Sequence, residues 1–361
     1  MKKLFALLLA LAMVLSLAAC GAKAPEAAPE AAPEAAPEAA PEAAPEAAPE
    51  AAPEAATYAI VCKDASNPYM ARMVSGFQEA CAALGITAIE KSPETTSADD
   101  QITIINELVA QGVNGIAIAA NDAAALRGAI EAAKQQGVVI VTLDSDTEGS
   151  QMFVNQAGVT EVAQVLVDSV ADMCGEDGGE FAILSASSTA TNQNAWIAAM
   201  EEILKDEKYA SLKLVETVYG DDESQKSTDE MQNLMTKYPN LECVCCPTTV
   251  GILAAAKVVQ ESGSAIKVAG LGLPSEMKDY VGDDKVCPYM YLWNPIDVGN
   301  CAAYMIKAIA DGLVGEVGTE FTADNGATYA VMAGDTADTQ IIVGPPFAFT
   351  GENIADWANV Y

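Results

Sequence analysis

The stretch GIAIAANDAAALRGAIEAAKQQGVVIVTL, residues 115–143, indicates how this chain folds. An apolar run at Gly115–Ala119 predicts a buried strand, and the amphipathic pattern of Ala123–Gln136 predicts a helix that ends before Gly137. A second apolar run, Val138–Leu143, predicts the next strand. A strand, a helix and a second strand in this order are typical of a βαβ unit, which brings both strands into one parallel sheet.

The same alternation of apolar strands and amphipathic helices extends over two series of similar length. The first series is expected at residues 58–62, 69–84, 87–90, 99–111 and 115–143, with an edge strand before Asn155. The second is expected at residues 158–173, 180–184, 193–205, 213–219, 224–238, 242–246, 250–262, 267–271, 275–281 and 288–292. A helix at 296–311 and strands near 327–332 and 340–343 are expected to complete the chain. The pattern therefore predicts an α/β protein with two doubly wound parallel-sheet lobes.

Residues 1–56 are expected to lie outside this fold. Lys2 and Lys3 precede an apolar run shorter than the roughly 20 residues of a membrane-spanning helix, as in a secretory signal. The run ends at Cys20 in a sequence that resembles the bacterial lipobox, which implies a signal peptide over residues 1–20 and a lipid on Cys20. We therefore expect the protein outside the cytoplasm, attached to the outer face of the cytoplasmic membrane by that lipid alone.

A low-complexity segment follows the cysteine. Residues 25–56 repeat Pro-Glu-Ala-Ala eight times. Proline in every turn interrupts helical hydrogen bonding, and the repeat contains no bulky apolar side chain that could form a core. We expect residues 21–56 to form a semi-rigid, partly polyproline-II linker. The linker could tether the folded part to the lipid or be filler of unselected length, and the sequence leaves both open.

The composition excludes several functions. The chain has no histidine, which rules out Ser-His-Asp and Cys-His catalysis and imidazole ligands to zinc. Its 51 acidic residues against 18 basic ones, a net charge of -33, argue against binding to nucleic acid or to an anionic membrane surface. Glycine-rich phosphate loops are absent, and we expect no cofactor. Cys243, Cys245 and Cys246 lie on a predicted strand and are expected to be buried thiols rather than metal ligands.

The segments that follow the predicted strands are rich in carboxylates, amides and aromatic rings. They are Lys63–Tyr69, Asp144–Thr147, Asn155–Gln156, Ser185–Trp196, Pro247–Thr249 and Trp293–Asn294. In open parallel sheets the ligand crevice lies at the carboxyl ends of the strands, so we expect these segments to converge. Planar polar groups and an aromatic face suit a hydroxyl-rich ligand. Any one of these residues could instead form a turn or a helix cap.

Five motifs in these segments resemble those of type I periplasmic sugar-binding proteins of ABC importers. They are Ser-Asn-Pro-Tyr at 66–69, Leu-Asp-Ser-Asp-Thr at 143–147, Phe-Val-Asn-Gln at 153–156, Thr-Asn-Gln-Asn-Ala-Trp at 191–196 and Leu-Trp-Asn-Pro at 292–295. The resemblance extends over residues 57–361 and is strongest to the rhamnose-binding and autoinducer-2-binding branch. It implies a monomeric receptor without enzymatic activity that captures a small sugar or sugar-like ligand and delivers it to an ABC permease.

The resemblance also implies roles for individual residues. Lys63 and Asp144 match groups that hold ligand oxygens, and Gln193 matches a ligand amide. Asn192 stands where autoinducer-2 binders carry aspartate, and Thr249 where they carry alanine, so another sugar with a similar hydroxyl pattern stays open. The full expected ligand-binding set is Lys63, Asn67, Tyr69, Asp144, Asp146, Asn192, Gln193, Trp196, Pro247, Thr249, Trp293 and Asn294.

In this family two lobes close on the ligand by bending at three chain crossings. The resemblance implies crossings near Asn155–Val159, Leu292–Pro295 and Met332–Thr339. One lobe would then comprise residues 57–157 and 294–332, and the other residues 158–293 and 333–361.

Two functions other than transport are alternatives for this fold class. A receptor of the same fold could present its ligand to a chemoreceptor or a sensor kinase instead of a permease. A glycoside hydrolase needs two carboxylates on opposite sides of the scissile bond. Asp144 and Asp146 lie two residues apart on one predicted loop, which does not favour that arrangement.

Overall fold

Parallel β-sheets covered by helices organise the folded part of the chain, which confirms the predicted α/β class. A computed structural model describes residues 55–361; the expected signal peptide, Cys20 and nearly all of the expected linker lie outside them. The strands are β1 (Thr57–Val61), β2 (Thr87–Glu90), β3 (Gly115–Ile118), β4 (Val139–Leu143), β5 (Met152–Asn155), β6 (Gly179–Ser185), β7 (Leu212–Tyr219), β8 (Leu241–Cys246), β9 (Lys267–Gly270), β10 (Tyr289–Leu292), β11 (Glu320–Thr322), β12 (Thr328–Ala330), β13 (Met332–Ala333), β14 (Thr339–Ile342) and β15 (Phe347–Thr350). The helices are α1 (Pro68–Leu84), α2 (Ala98–Ala110), α3 (Arg127–Gln135), α4 (Val159–Cys174), α5 (Thr191–Ile203), α6 (Ser224–Lys237), α7 (Thr249–Ser262), α8 (Pro274–Met277), α9 (Pro295–Ala310) and α10 (Ile354–Trp357).

The first sheet contains seven strands in the order β13-β14-β5-β4-β3-β1-β2. All neighbouring strands are parallel except the short edge strand β13. Because side chains alternate along a strand, β1 buries Ile60 in the same apolar cluster as α1, and Val61 in the cluster formed with α2 and α3. Helices α1 and α9 thus cover one face of the sheet, and α2 and α3 cover the other. We call this sheet with these four helices the first lobe.

The second sheet contains four parallel strands in the order β7-β6-β8-β9 and packs against α4, α6 and α7, while α5 packs on α4. We call this unit the second lobe. The strand β10 lies beside it through a bridge between Leu271 and Tyr291, and β15 pairs with β10 in the antiparallel sense. Cys243, Cys245 and Cys246 on β8 are fully buried. Burial raises the pKa of the Cys245 thiol to about 12, and all eight cysteines between residues 55 and 361 are free.

Two glycines let α1 and α9 approach to backbone contact. A Cβ atom on Gly76 would lie 1.9 Å from the carbonyl oxygen of Ile296, and one on Gly299 would lie 1.8 Å from that of Met73. Any larger residue would force the helices apart, because a packed interior has no room to absorb it. This contact attaches α9, which follows the second lobe in sequence, to the first lobe.

The chain passes between the two lobes three times. The connecting segments are residues 156–158, 293–294 and 343–346. The first two lie where the sequence predicts them. The third is predicted near Met332–Thr339, and this prediction is wrong.

Strand pairing explains the difference at the third crossing. β14 is parallel to β5, with Ile341 opposite Val154, so residues 339–342 belong to the first lobe. The boundary predicted between residues 332 and 333 therefore lies after Ile342. Only β15 and α10 return to the second lobe, where Phe349 packs against Trp357 and Tyr361.

The last part of the chain also differs from its predicted elements. The strand predicted near 327–332 is divided into β12 and β13, and the sequence does not predict β11, β15 or α10. These elements contain two to four residues each. Segments of this length carry too little periodicity to distinguish a strand from a turn.

Candidate functional site

A cavity between the two lobes collects most of the predicted site residues. It lies at the carboxyl ends of β1, β4 and β10 and at the N-termini of α5 and α7. Its volume is about 30 Å³, enough for about one or two water molecules. Ten of the twelve predicted residues line it, namely Lys63, Asn67, Tyr69, Asp144, Asn192, Gln193, Trp196, Pro247, Thr249 and Trp293.

Lys63, Asp144 and Asn192 form a polar contact across this cavity. The Lys63 Nζ atom lies 3.2 Å from Asp144 Oδ2 and donates a hydrogen bond to Asn192 Oδ1 at 3.0 Å. Asn192 Nδ2 donates to the same Asp144 oxygen at 3.2 Å. Lys63 and Asp144 are each 3% exposed, and a buried ion pair of this kind is tolerated only when both charges are fully paired. Because Asn192 comes from the second lobe, the contact joins the two lobes directly.

Asp144 has an unusual backbone conformation. Its φ is 60°, in the left-handed region, which only Asp221 and Asp222 share among the non-glycine residues of 55–361. The Ser145 backbone N–H donates to the Leu143 carbonyl oxygen at 2.6 Å and closes a three-residue turn with Asp144 at its centre. Such turns are rare and strained, and aspartate tolerates the left-handed region better than most residues. Strain of this kind is typical of functional sites.

Tyr69, Trp196 and Trp293 form the aromatic wall of the cavity. The Tyr69 hydroxyl donates to Asp144 Oδ1 at 3.0 Å and accepts from Trp293 Nε1 at 2.6 Å. Burial, and next the Asp144 carboxylate, raise the pKa of Tyr69 well above its usual range, so the phenol stays protonated and remains a donor. The rings of Trp196 and Trp293 lie 5.6 Å apart at an angle of 56°. This wall offers apolar faces for the C–H groups of a ligand.

Gln101 and Asn121 support Lys63 from behind the cavity. Gln101 Nε2 donates to the carbonyl oxygen of Cys62 at 3.0 Å, and its Oε1 accepts from the backbone N–H of Asn121 at 2.9 Å. Asn121 Nδ2 donates to the Lys63 carbonyl oxygen at 2.9 Å. These bonds satisfy the backbone where β1 ends and fix the position from which the lysine extends. The sequence analysis does not predict either residue. Gln101 is fully buried, and its position on the apolar face of α2, in line with Ile105 and Leu108, is the signal that could have identified it.

Gln193 presents an unpaired hydrogen-bond acceptor in the same cavity as the contact of Lys63, Asp144 and Asn192. Its Oε1 is buried and has no hydrogen-bond partner within residues 55–361. Leaving such an atom unsatisfied costs about 1–3 kcal/mol. Pro247 and Thr249 border the same cavity where α7 begins. A hydroxyl group in the cavity could therefore donate to Gln193 without breaking an existing bond.

Asp146 does not line the cavity, in contrast to its prediction as a site residue. Its carboxylate accepts hydrogen bonds from the Thr142 hydroxyl at 2.5 Å, from the Ser150 hydroxyl at 3.1 Å and from the Ala337 backbone N–H at 2.8 Å. These partners tie the loop after β4 to the segment before β14. Burial raises the pKa of Asp146, whereas the hydrogen bonds from Thr142 and Ala337 oppose that rise.

Asn294 also lies outside the cavity. Its Oδ1 accepts from the Ile296 backbone N–H at 3.0 Å and caps α9. Asn67 caps α1 in the same way, with Tyr69 as donor at 2.9 Å, but also lines the cavity. A turn or cap role is the alternative for each such residue, and Asn294 has the cap role.

Five residues outside the expected ligand-binding set complete the cavity. They are Met70, Asp222, Thr248, Leu271 and Leu292. A sequence signal for Asp222 exists, because Gly220-Asp221-Asp222 directly follows the strand predicted at 213–219, where cleft residues are expected. The Thr248 hydroxyl donates to Asp222 Oδ1. Burial raises the pKa of Asp222, the Thr248 hydrogen bond and Lys63 lower it, and Asp64 and Asp144 raise it.

Comparisons with known proteins agree with this architecture. A family model described as periplasmic binding protein domain matches residues 58–313. An ABC transporter solute-binding protein from Clostridium phytofermentas with bound L-rhamnose is 47% identical, with a TM-score of 0.82, and the alignment covers 85% of this chain and 99% of that one. LsrB from Clostridium saccharobutylicum in complex with AI-2 has a TM-score of 0.78 at 23% identity, over 83% of this chain and 99% of that one. This similarity is one of fold. The D-allose-binding periplasmic protein of Escherichia coli is 27% identical over 226 residues, 60% of this chain and 71% of that protein.

Proposed function

The chain belongs to the periplasmic binding protein family, and on this premise we propose that it is a receptor that captures a small sugar for an ABC importer. The receptor has no enzymatic role. It holds the sugar between its lobes and presents the closed form to a membrane permease.

The observation that carries this proposal is the composition of the interlobe cavity. Lys63, Asp144 and Gln193 offer a cation, an anion and an amide within one buried space. Two tryptophans close the same space. Sugar rings have hydroxyl groups at their edge and C–H groups on their faces, and this arrangement complements both.

A 6-deoxyhexose of the L-rhamnose type is the ligand that we favour. The relative with bound L-rhamnose is 47% identical over nearly its whole length. Asn192 and Thr249 replace the aspartate and alanine that the resemblance assigns to autoinducer-2 binders, which favours a sugar over that ligand. The aromatic wall of Tyr69, Trp196 and Trp293 would accommodate the apolar methyl side of a deoxy sugar.

Opening and closing of the lobes would admit the ligand. The cavity of about 30 Å³ is too small for a sugar ring beside the present contacts of Lys63, Asp144 and Asn192. The ligand would therefore replace those contacts when the lobes close on it. A ligand that binds only between closed lobes stabilises that state by its differential affinity.

Membrane attachment is a further part of the proposal. We propose that Cys20 carries the lipid and that the repeat segment separates it from the folded part. Within residues 55–361, no helix combines the length and the apolar character that a membrane span requires. Detergent phase partitioning tests the anchor: the full chain expressed in a bacterium should enter the detergent phase, and Cys20→Ser should remain in the aqueous phase.

Isothermal titration calorimetry tests the ligand class. We expect L-rhamnose to bind more tightly than D-allose, D-ribose or AI-2. Mass spectrometry of the small molecule that copurifies with the protein provides an independent identification. If none of these compounds releases or absorbs heat on mixing, the proposed function is wrong.

A further inference from the structure

Asp222 lies in the cavity on the side of the second lobe, whereas Asp144 belongs to the first lobe. It follows β7, the outer strand of the second sheet. Carboxylates from both lobes therefore line the cavity, together with the lysine side chain of Lys63. The contact of Lys63 and Asn192 uses Asp144 and does not include Asp222.

The backbone around Asp222 is fixed in an unfavourable conformation. Asp221 and Asp222 have φ values of 53° and 54°, so two consecutive aspartates occupy the left-handed region. The Asp221 backbone N–H donates to the Ala186 carbonyl oxygen at 2.9 Å, which ties this turn to the loop after β6. Non-glycine residues persist in this region only where the surrounding structure compensates the strain.

The two aspartates of this turn have different surroundings. Asp221 pairs with Lys226, and both side chains are 41% exposed. The Asp222 carboxylate accepts one side-chain hydrogen bond within residues 55–361, from Thr248 to Oδ1, and its Oδ2 accepts none. Asp222 lines the cavity, and its Oδ2 offers an acceptor that no residue of 55–361 uses.

We propose that Asp222 is a specificity-determining ligand contact, which accepts a hydroxyl group of the sugar from the second lobe while Asp144 accepts one from the first lobe. This inference rests on the proposed function. It defines the ligand as a polyol with hydroxyl donors on two separated sides of its ring. A ligand that bridges carboxylates of both lobes binds the closed state preferentially, which links recognition to closure.

Specificity follows from the cost of an unpaired carboxylate. When the lobes close on a sugar that lacks the matching hydroxyl, Asp222 loses water without gaining a donor. Sites built to bind a hydroxyl group reject analogues without it far more strongly than apolar pockets reject an additional group. Asp222 therefore selects against the deoxy derivative at one ring position.

The test compares Asp222→Asn with Asp221→Asn by isothermal titration calorimetry. Asparagine tolerates the left-handed region, so both variants keep the turn. We expect Asp222→Asn to bind L-rhamnose about ten- to a hundredfold more weakly than the wild type, because it loses a charged acceptor. Asp221→Asn should bind within about twofold of the wild type, since its solvent-exposed ion pair contributes little. Asp222→Gly, which suits a left-handed backbone, serves if the asparagine variant unfolds.

A series of monodeoxy derivatives of L-rhamnose provides the second measurement. The wild type and Asp221→Asn should discriminate against one derivative, and Asp222→Asn should lose that discrimination. Uniform weakening of all derivatives by Asp222→Asn would overturn the inference, because Asp222 would then act only by positioning Thr248. Equal affinities of Asp222→Asn and Asp221→Asn would overturn it as well, with the proposed function intact. If the wild type binds none of L-rhamnose, D-allose, D-ribose and AI-2, the proposed function fails and the inference fails with it.

Discussion

The cleft around Asp144 and the Asp146 cluster, formed by Thr142, Asp146, Ser150 and Ala337 of the first lobe, show two different uses of an aspartate. Asp144 and Asp146 lie two residues apart in sequence. In the cleft, the Asp144 carboxylate contacts the side chains of Lys63, Tyr69 and Asn192. In the Asp146 cluster, the Asp146 carboxylate accepts hydrogen bonds from its own loop and from the Ala337 backbone N–H.

The difference lies in what a ligand could replace. The partners of Asp144 are side chains from both lobes, and hydroxyl groups of a sugar could take their place when the lobes close. The partners of Asp146 include backbone groups that are fixed by the fold. An acidic residue in a loop after a strand therefore marks a ligand site only when its partners can be exchanged.

The largest effect is expected for Asp144→Asn. Asparagine keeps the left-handed turn but removes the charge that faces Lys63 and the ligand. We expect the affinity for L-rhamnose to fall by about 3 kcal/mol, or more than a hundredfold, because hydrogen bonds to charged groups contribute about 1.5–3 kcal/mol each. Calorimetric titration of the variant and the wild type measures this loss.

Asp146→Asn is the matched change in the Asp146 cluster. The amide group keeps one acceptor oxygen and replaces the other, so an N–H donor then faces either the Thr142 and Ser150 hydroxyls or the Ala337 backbone N–H. We expect the free energy of unfolding to fall by about 1–3 kcal/mol, as for a buried group left without its partner, and the affinity to stay within about threefold. Urea denaturation and calorimetry measure the two quantities. Similar losses of affinity in Asp144→Asn and Asp146→Asn would contradict the distinction between the cleft and the Asp146 cluster.

The sequence predicts the fold and most of the cavity because both depend on local patterns. Apolar strands that alternate with amphipathic helices predict parallel sheets, and polar residues after strands predict where Lys63 and Asp144 lie. The separate roles of Asp144 and Asp146 depend on a turn and on Ala337, which lies far along the chain. No local pattern contains that information.

Non-local pairing also explains the error at the third crossing. The apolar run at 340–343 predicts a strand but not its partner, and either sheet has an edge that could accept it. The pairing of Ile341 with Val154 joins residues that are remote in sequence. Asp222 is a different case, since it directly follows the strand predicted at 213–219, a local position that indicates a cleft residue.

Replacing two glutamines extends the comparison between the cleft and the Asp146 cluster at lower cost in stability. Gln193 lines the cleft and Gln156 lines a crevice near Asp146, and the Oε1 atom of each is buried without a partner within residues 55–361. Replacing an unsatisfied buried group with an apolar one of similar size is nearly neutral or stabilising. We therefore expect Gln193→Leu and Gln156→Leu to keep or raise the melting temperature. Only Gln193→Leu should weaken sugar binding, by about tenfold, and equal affinities of the two variants would remove Gln193 from the site.

The smallest effect is expected for Trp293→Phe, measured against Trp357→Phe. Trp293 donates to the Tyr69 hydroxyl in the cleft, whereas Trp357 packs against Phe347 and Phe349 near the C-terminus. Phenylalanine keeps an aromatic wall but removes one hydrogen bond, so the affinity should fall by about 1 kcal/mol, roughly fivefold. The change in tryptophan fluorescence on sugar binding should shrink in Trp293→Phe and persist in Trp357→Phe. A persistent change in both variants would assign the signal to Trp196, because the chain contains only these three tryptophans. Loss of the signal in Trp357→Phe alone would mean that ligand binding alters the C-terminal aromatic cluster rather than the cleft.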